Sequence, residues 1–482
     1  MSELKAKVIH MGAAQCAVDL GDGSERGEYV NQDYILQKLG RPHRAVSLMY
    51  CYYPNDKEWP QRISEACKDM EVNFAWDYPY DDYFTYKGGL DGTKDDEPFT
   101  YMRDVRRHGQ DVLLTMTIDP KVTDEHLVAI AHDLSTFGRV MLRINHEATG
   151  DWFSFNKRGS YEEVAAFFVH ACEIIHKEAP NVQTIICLDG CKEVEDEKME
   201  KEDIFAEASR AADIVSVDRY MALHWGWPYD VAEEGGDTFA RYTVDKIYKI
   251  AKKSYERYTF LNNGVKKPMV LSEFNADADV TGAYDQASMT REFCEMLKAD
   301  KEKWLSAFTM YQFRDRGRLG LEIEDPNNQD VGIEQPLMEE YRKIIHEDFF
   351  SPSMEEKEET AFPAKMRWGG SEDADGVAVN LHFESSPVFC EAYFNESNVD
   401  MNLILELNGH WFYKAPGVKC IDMMSAFFKK PLEGAADMAL KIFAPPASGE
   451  NDPSQGEDWQ MNYYTELKSL PEIRIRYAPI VK

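Results

Sequence analysis

An alternation of short apolar runs with helix-forming segments, beginning at residue 45, is the feature that most constrains how this chain folds. The runs are rich in β-branched and aromatic residues, and several are apolar throughout, which is typical of parallel strands covered by helices. We predict strands at 45–53, 72–78, 111–118, 139–145, 182–189, 213–220, 268–275 and 305–313. Eight strands, each followed by helix-forming sequence, predict an α/β fold of the (β/α)8 or TIM barrel type.

The segments between the predicted strands carry helix signals. After the fourth strand, Ser160 and Glu163 have the spacing of a capping box, and apolar side chains then recur at helical intervals as far as Ile175. Pro336 stands near the start of the helix expected after the last strand. A doubly wound open sheet is the alternative architecture, but the sequence contains no GxGxxG turn that would favour it.

Composition changes after the eighth strand and divides the chain. Residues 351–365 are polar and acidic with two prolines, which predicts a linker. Beyond them come short alternating segments separated by turn residues, which predict a small all-β, sandwich-like domain. The predicted organisation is a lead-in packed on the barrel (1–44), the barrel (45–350), the linker (351–365) and the β-sandwich (366–482).

The charge balance limits the partners of the chain. Lys and Arg total 54 and Asp and Glu 86, a net charge of −32. Phosphate groups are bound by cationic surfaces, so this balance argues against nucleic acid and against anionic membranes. The first residues lack a signal-peptide core, no apolar run is long enough to cross a bilayer, and the nine cysteines do not resemble a disulfide framework. We therefore expect a cytoplasmic protein, with the oligomeric state left open.

No motif indicates a metal or a cofactor. Cys187 and Cys191 lack the second pair that a zinc site needs. Neither HExxH, a P-loop nor a GxSxG elbow occurs. The sequence thus predicts an enzyme or binding protein that works with its own side chains.

Two glutamates end strands of the predicted barrel. Active sites of such barrels lie at the carboxyl ends of the strands. Here the fourth strand ends in His146 and Glu147, and the seventh in Glu273. Glycoside hydrolysis uses two carboxyl groups in this way, one as proton donor and the other as nucleophile or base. The pair therefore predicts a glycosidase.

Three motifs resemble glycoside hydrolase family 26, one of the clan A barrel hydrolases. The segment RINHEATGDWF resembles the acid/base pattern R-x-x-H-E-x-N-G-x-W-F of that family, with Thr149 in place of the Asn. KPMVLSEFN is similar to the nucleophile strand, and VSVDRYM to the strand whose tyrosine supports the nucleophile. The motifs occur in the right order on predicted strands, and the resemblance covers the core of residues 45–345.

The resemblance implies a retaining double displacement. Glu147 would be the acid/base, Glu273 the nucleophile and Tyr220 its support, with the two carboxyls about 5–5.5 Å apart. A β-linked glycan or oligosaccharide is the expected substrate, β-mannan first by family analogy. The alternatives are another clan A activity (xylanase, glucanase or exo-glycosidase) and a glycan-binding barrel without catalysis.

Further residues are candidates for contact with the carbohydrate. Aromatic rings pack on the C–H faces of sugars. The eighth strand lacks the tryptophan that the resemblance to such barrels implies, and Tyr311 or Phe313 is expected in its place. Arg314 pairs with local acids in the interpretation we favour, or else clamps an acidic sugar. The predicted substrate-binding residues are Arg143, His146, Trp152, Tyr220, Trp225, Trp227, Tyr311 and Arg314.

Overall fold

A computed structural model describes residues 6–21, 30–67, 84–196, 201–224, 239–315, 318–369, 374–451 and 463–478. Its strands in chain order are β1 (Ala6–Gly12), β2 (Ala17–Gly21), β3 (Ala45–Tyr52), β4 (Phe84–Thr85), β5 (Asp111–Ile118), β6 (Val140–Ile144), β7 (Val182–Cys187), β8 (Ile214–His224), β9 (Phe239–Arg241), β10 (Met269–Ala276), β11 (Ala307–Met310), β12 (Glu322–Asp325), β13 (Asn328–Glu334), β14 (Ser353–Thr360), β15 (Ala364–Arg367), β16 (Gly376–Phe383), β17 (Phe389–Tyr393), β18 (Leu403–Leu407), β19 (His410–Lys414), β20 (Cys420–Asp422), β21 (Ala436–Phe443), β22 (Tyr464–Leu467) and β23 (Glu472–Arg476). Its α-helices are α1 (Gln32–Leu39), α2 (Trp59–Cys67), α3 (Phe99–Arg107), α4 (Asp124–Leu134), α5 (Tyr161–Glu178), α6 (Ala206–Ala211), α7 (Val244–Leu261), α8 (Ala278–Thr281), α9 (Ala283–Ala299), α10 (Pro336–Ile345) and α11 (Ser425–Phe428).

Eight parallel strands close into a barrel. Their order around it is β2, β3, β5, β6, β7, β8, β10 and β11, and β11 pairs back onto β2. Strand β5 is buried at every position, because the barrel interior covers one face and the helices cover the other. The predicted (β/α)8 barrel is confirmed.

The first barrel strand lies in the predicted lead-in, where the prediction was wrong. Strand β2 has only five residues, all buried, and includes Asp19. The Arg44 Nε donates to Asp19 Oδ1 at 2.8 Å. This ion pair allows the charged Asp19 side chain to be buried, so the strand lacks the continuous apolar sequence that would have identified it. The strand predicted at 45–53 is therefore the second of the barrel, and the one predicted at 72–78 lies outside the described residues.

The predicted linker is largely a β-strand. Strand β14 pairs antiparallel with β1, which joins Ser353 to Gly12 and Thr360 to Ala6. Six of its eight residues are exposed, four of them glutamates, and the strand lies at the edge of a sheet. Charged side chains are typical of edge strands, where they prevent further pairing, and this composition resembles that of a linker.

Two antiparallel sheets form the predicted β-sandwich. One has the order β14-β1-β16-β21-β18-β19, and the other β20-β17-β23. Apolar side chains from both meet in one core, among them Val377, Phe383, Cys390, Ala392, Leu405 and Ile442. The all-β domain is confirmed, and strand β1 from the other end of the chain is one of its members.

The sandwich packs against the barrel through strand β19 and its neighbours. The Trp411 N–H donates to the Gly40 carbonyl at 2.9 Å, which joins β19 to the end of α1. The His108 and Tyr413 rings lie 3.8 Å apart between centroids. The Asn402 side-chain amide donates to the Arg107 carbonyl at 2.8 Å. Backbone polar groups at the end of α3 are thus satisfied by the sandwich.

The helix signals in the sequence correspond to helix starts. The Ser160 Oγ accepts from the Glu163 N–H, and the Glu163 carboxylate accepts from the Ser160 N–H at 2.8 Å, which is a capping box at the start of α5. Helix α10 begins at Pro336. Among the described residues, no helix combines the length and apolar character required to span a bilayer.

His410 at the start of β19 should make stability depend on pH. Burial, together with His346 and Lys429, lowers its pKa from 6.5 to about 4. Between these two pH values His410 is protonated in the unfolded chain but not in the folded protein. The free energy of unfolding therefore falls as the pH drops from about 6.5 towards 4. We expect His410→Gln to remove roughly 1–3 kcal/mol of this acid-induced loss, measured by urea unfolding at about pH 7.5 and pH 4.5.

His382 provides the matched control for His410. It lies exposed on β16, where it contacts Asp437 at 2.7 Å. The variant His382→Gln removes an imidazole that is exposed in the folded protein, and we expect it to change the pH dependence of the unfolding free energy less than His410→Gln does. An unchanged pH dependence in His410→Gln would contradict the prediction.

Candidate active site

The turn after strand β6 carries Glu147 to the mouth of the barrel. Asn145 and Glu147 both have left-handed backbone, with φ of 48° and 49°. Such conformations cost about 1–3 kcal/mol in residues other than glycine and need support from their surroundings. The Asn145 side chain gives that support, since it accepts from the Ile118 N–H at 2.6 Å and donates to the Ile118 carbonyl at 3.1 Å. Strand β5 thereby fixes the direction of Glu147.

Glu147 is largely buried and has other carboxyl groups nearby. Burial, followed by the negative charges of Asp218, Glu273 and Asp189, raises its pKa well above the ordinary value. The Trp152 Nε1–H donates to Glu147 Oε2 at 2.7 Å, which lowers the pKa but does not reverse the shift. The shift favours the protonated form of Glu147, which is the form that a general acid needs.

Glu273 lies on strand β10, where the strand pairing is irregular. The register with both neighbouring strands shifts between Leu271 and Phe274. Bulges of this kind reorient side chains next to functional sites. Glu273 Oε1 accepts from Arg143 Nη2 at 2.6 Å, and its Oε2 accepts from the Tyr220 hydroxyl at 2.7 Å. Both oxygens are thus held by donors, the arrangement that an attacking carboxylate needs.

A fully buried arginine connects the carboxyl groups beneath the mouth. Arg143 Nη1 donates to both oxygens of Asp218, at 2.9 and 3.0 Å, and its Nε donates to the Thr115 hydroxyl at 2.7 Å. Burial alone lowers the pKa of the guanidinium, but Asp218 and Glu273 outweigh it and raise the pKa well above its usual value. The group is a permanent cation.

Two of the predicted substrate-binding residues, Arg143 and His146, are buried. The Arg143 side chain is 0% exposed and contacts Glu273, so it holds the Glu273 carboxylate and has no surface left for a sugar. His146 is also buried, with its ring 4.3 Å from that of Phe153. Burial and the Arg143 charge lower the pKa of His146 well below its usual value, which keeps the imidazole neutral.

The remaining predicted residues divide into three cases. Tyr311 packs edge-on against Tyr220, with ring centroids 5.9 Å apart, and so lies at the mouth. Arg314 is buried, and its Nη2 lies 3.8 Å from Glu324 Oε2. Trp225 and Trp227 fall outside the described residues. The structure therefore brings together Arg143, His146, Glu147, Trp152, Tyr220, Glu273 and Tyr311.

Sequence reasoning did not identify Asp218 and Asp189 as site residues. Asp218 precedes Tyr220 by two positions, and the available signal was Arg143, because a buried arginine on a barrel strand needs a carboxylate partner. Asp189 follows β7, and its N–H donates to the Thr149 hydroxyl at 2.9 Å. Thr149 itself is buried and donates to Glu202 Oε1 at 3.0 Å. Thr149 therefore supports the loop that carries Asp189.

Comparisons with known proteins give structures but no sequence relatives. No family model matches the chain, and no curated protein does. A family 51 α-L-arabinofuranosidase from Bifidobacterium longum aligns over 92% of this chain and 100% of its own, with 11% identity and a TM-score of 0.42. A GH26 β-mannanase from Bacteroides ovatus aligns over 70% and 90%, with 12% identity and a TM-score of 0.41. An endo-β-1,4-mannanase double mutant from Cellulomonas fimi aligns over 89% and 94%, with 12% identity and 0.42. The strand pairing of the chain itself establishes the barrel.

Removal of the Arg143 cation should destabilise the whole protein. Arg143→Met leaves Asp218 buried without its partner, and breaking such a buried pair costs about 3–5 kcal/mol. The free energy of unfolding, measured with urea near neutral pH, should fall by that amount. Adding Asp218→Asn to the same chain should recover part of the loss, because it removes a buried carboxyl group that has lost its hydrogen-bond donor.

Arg219 is the matched control for Arg143. It follows Asp218 directly, but its Nη2 donates to the backbone carbonyls of Asp189 and Cys191. Arg219→Met should cost clearly less than Arg143→Met, since it leaves no carboxylate without a partner. Equal losses of unfolding free energy in the two variants would show that the buried ion pair contributes no more to stability than the contacts of Arg219.

Proposed function

We propose that the chain is a retaining glycoside hydrolase in which Glu147 is the acid/base and Glu273 the nucleophile. The observation that carries the proposal is the contrast between the two carboxyl groups at one barrel mouth. Burial and neighbouring negative charge raise the pKa of Glu147 well above its ordinary value, which favours the protonated form. Glu273 instead receives hydrogen bonds from Arg143 and Tyr220. Environments that differ in this way assign acid and nucleophile roles to a pair of carboxyl groups.

The first step would break the glycosidic bond. A Glu273 oxygen attacks the anomeric carbon, and the Glu147 proton passes to the leaving oxygen, so that one C–O bond forms as another breaks. Tyr220 and Arg143 orient the attacking carboxylate. Loss of charge at Glu273 then removes part of the field that keeps Glu147 protonated.

The second step would release the sugar. Glu147, now ionised, accepts a proton from water as that water attacks the anomeric carbon, and Glu273 leaves as a carboxylate. The configuration at the anomeric carbon is retained. The Trp152 N–H stabilises the ionised form of Glu147 during this step.

The charges at the mouth favour a neutral glycan. Asp189, Asp218 and Glu273 act together on Glu147, and a uronic acid would add a further negative charge to this group. Arg314, the candidate clamp for an acidic sugar, is buried and paired with Glu324. We propose a β-linked neutral glycan or oligosaccharide, with the mannan type first because of the resemblance of the motifs to family 26.

Alanine variants of the two glutamates test the proposal. Glu273→Ala should lower kcat on aryl β-glycosides and oligosaccharides by at least roughly 10³-fold, because no covalent intermediate forms. Glu147→Ala should lose much more activity on oligosaccharides than on glycosides with good leaving groups, since only the former need a proton donor. Product analysis on mannan, xylan, β-glucan and arabinan oligosaccharides gives the substrate, and NMR of the first product gives the anomeric configuration.

Glu173→Ala is the control for both alanine variants. Glu173 lies on α5, and its side chain is 73% exposed, so its removal should leave kcat unchanged. Binding of a glycan without hydrolysis by the wild type would instead favour a non-catalytic binding barrel. Full activity in Glu273→Ala would contradict the assignment of the nucleophile.

The hydrogen bond from Trp152 to Glu147 should influence the pH at which activity falls on the alkaline side of the pH profile. Activity needs protonated Glu147, so kcat/KM falls as pH rises through the pKa of that group in the free enzyme. Trp152→Phe removes the N–H that stabilises the carboxylate, and the pKa should rise further. We expect the alkaline limb to move upward by about one pH unit, the value of one hydrogen bond to a charged group.

Trp59→Phe is the matched tryptophan control. The Trp59 Nε1–H donates to the Ser154 carbonyl at 3.1 Å and touches neither glutamate. In Trp59→Phe, activity should fall on the alkaline side at the same pH as in the wild type, even if the variant has a different KM. A limb that stays in place or moves downward in Trp152→Phe would refute the role of this hydrogen bond.

A further inference from the structure

Two consecutive residues, Lys201 and Glu202, contact two loops at the mouth of the barrel. They lie between β7 and α6. Lys201 Nζ donates to Asp151 Oδ2 at 3.0 Å, in the loop after β6. Glu202 Oε1 accepts from the Thr149 hydroxyl of that loop at 3.0 Å, and from the Gly190 N–H of the loop after β7 at 3.3 Å. The two residues therefore join the loops.

The contacts of Lys201 lead to the indole of Trp152. Its Nζ also donates to the Tyr161 hydroxyl at 2.6 Å, and that hydroxyl donates to the Asp151 carboxylate. The backbone of Gly150, the residue before Asp151, lies so close to Trp152 that a Cβ atom there would be 2.5 Å from the indole. Lys201 thus holds the segment on which the indole packs, and the indole N–H donates to the proposed acid.

The contacts of Glu202 lead to Asp189. Glu202 is 4% exposed, and it accepts from the N–H of Gly190, the residue directly after Asp189. The Thr149 hydroxyl donates to Glu202 and accepts from the Asp189 N–H at 2.9 Å. Both ends of Asp189 are therefore held through one carboxylate. The Asp189 side chain is 21% exposed, and its negative charge acts on Glu147.

The other ionisable groups around Glu147 belong to strands of the barrel. Asp218 and Tyr220 lie on β8, Glu273 on β10, and Cys187 is the last residue of β7. The strand pairing fixes these groups. Trp152 and Asp189 lie in loops instead, and need further contacts to keep their places.

We propose that Lys201 and Glu202 are positioning residues for the proposed acid. Lys201 fixes the indole of Trp152 on one loop. Glu202 fixes the charge of Asp189 on the other. A donor stabilises the ionised acid and a negative charge destabilises it, so the two residues act in opposite directions. The inference rests on the proposed function, and the competing explanation is that both residues only stabilise the loops.

The indole N–H of Trp152 reports on the acid without any catalysis. Because it is hydrogen-bonded to the Glu147 carboxyl group, its ¹H–¹⁵N signal should change with pH as that group ionises. The signal is assigned in the labelled full chain by its loss in Trp152→Phe. In Lys201→Met the indole is released, so most of the pH-dependent change should disappear. A wild-type titration of this signal in Lys201→Met would refute the role of Lys201.

Glu202→Ala should keep the titration but lower its midpoint. Asp189 then loses its fixed position, and its charge raises the pKa of Glu147 less than in the wild type. We expect a downward shift of about half a pH unit or more. In a chain that already carries Asp189→Asn, the same substitution should add little, since the charge is absent. An unchanged midpoint, or an equal further shift in the Asp189→Asn chain, would refute the role of Glu202.

Kinetics separate this inference from the proposed function. On β-linked oligosaccharides that the wild type hydrolyses, Lys201→Met should lower kcat more than on aryl glycosides with good leaving groups, because only the former need a proton donor. Equal losses on both kinds of substrate would contradict a role in positioning the acid. If the wild type hydrolyses no glycan of the panel, the proposed function fails, and the Trp152 signal still decides the inference.

Lys252→Met is the matched control for Lys201→Met. Lys252 Nζ donates to Asp300 Oδ2 at 2.7 Å, and the Tyr248 hydroxyl donates to the same oxygen at 2.8 Å, so the residue types are the same on outer helix α7. This variant should keep the wild-type titration of the indole signal. Equal changes in both lysine variants would show a general loss of stability and overturn the proposal. Glu202→Gln keeps an acceptor oxygen and should titrate closer to the wild type than Glu202→Ala.

Discussion

The guanidinium of Arg143 is the interaction on which the mouth of the barrel depends. Taking one ion out of water costs several kcal/mol, and this cation recovers the cost only through carboxylates within hydrogen-bond distance. Asp218 and Glu273 serve that purpose. One positive charge cannot balance two negative charges. A third carboxyl group close to them is therefore destabilised in its ionised form. That group is Glu147, whose pKa is raised by its burial and then by these negative charges.

The position of this network rests on how the two units of the fold are joined. The chain begins in the sandwich with β1, enters the barrel at β2, and returns from α10 to pair β14 with β1. Two short crossings therefore tie the units together, and β19 adds a backbone hydrogen bond to the end of α1. Strand β2, which follows β1 in the chain, closes the ring of barrel strands by pairing with β11.

A sequence pattern identifies a strand or helix when the burial of that element follows from its own residues alone. The run 111–118 is apolar enough to need cover on both sides, so its strand could be recognised directly. Strand β2 and strand β14 could not, because Asp19 depends on Arg44 and the glutamates of β14 depend on pairing with β1. At the site, motifs pointed to the two glutamates, whereas the contacts of Asp218 with Arg143 exist only once the barrel has closed.

Thr149 shows how a departure from a family pattern acts at a distance from the substrate. Its side chain is buried, donates to Glu202 and accepts from the Asp189 backbone, so it fixes the loop after β7 and does not line the mouth. The Asp189 charge in turn is one of those that raise the pKa of Glu147. A substitution at position 149 therefore changes the placement of a charge near Glu147, and through that charge the pKa of the Glu147 carboxyl group.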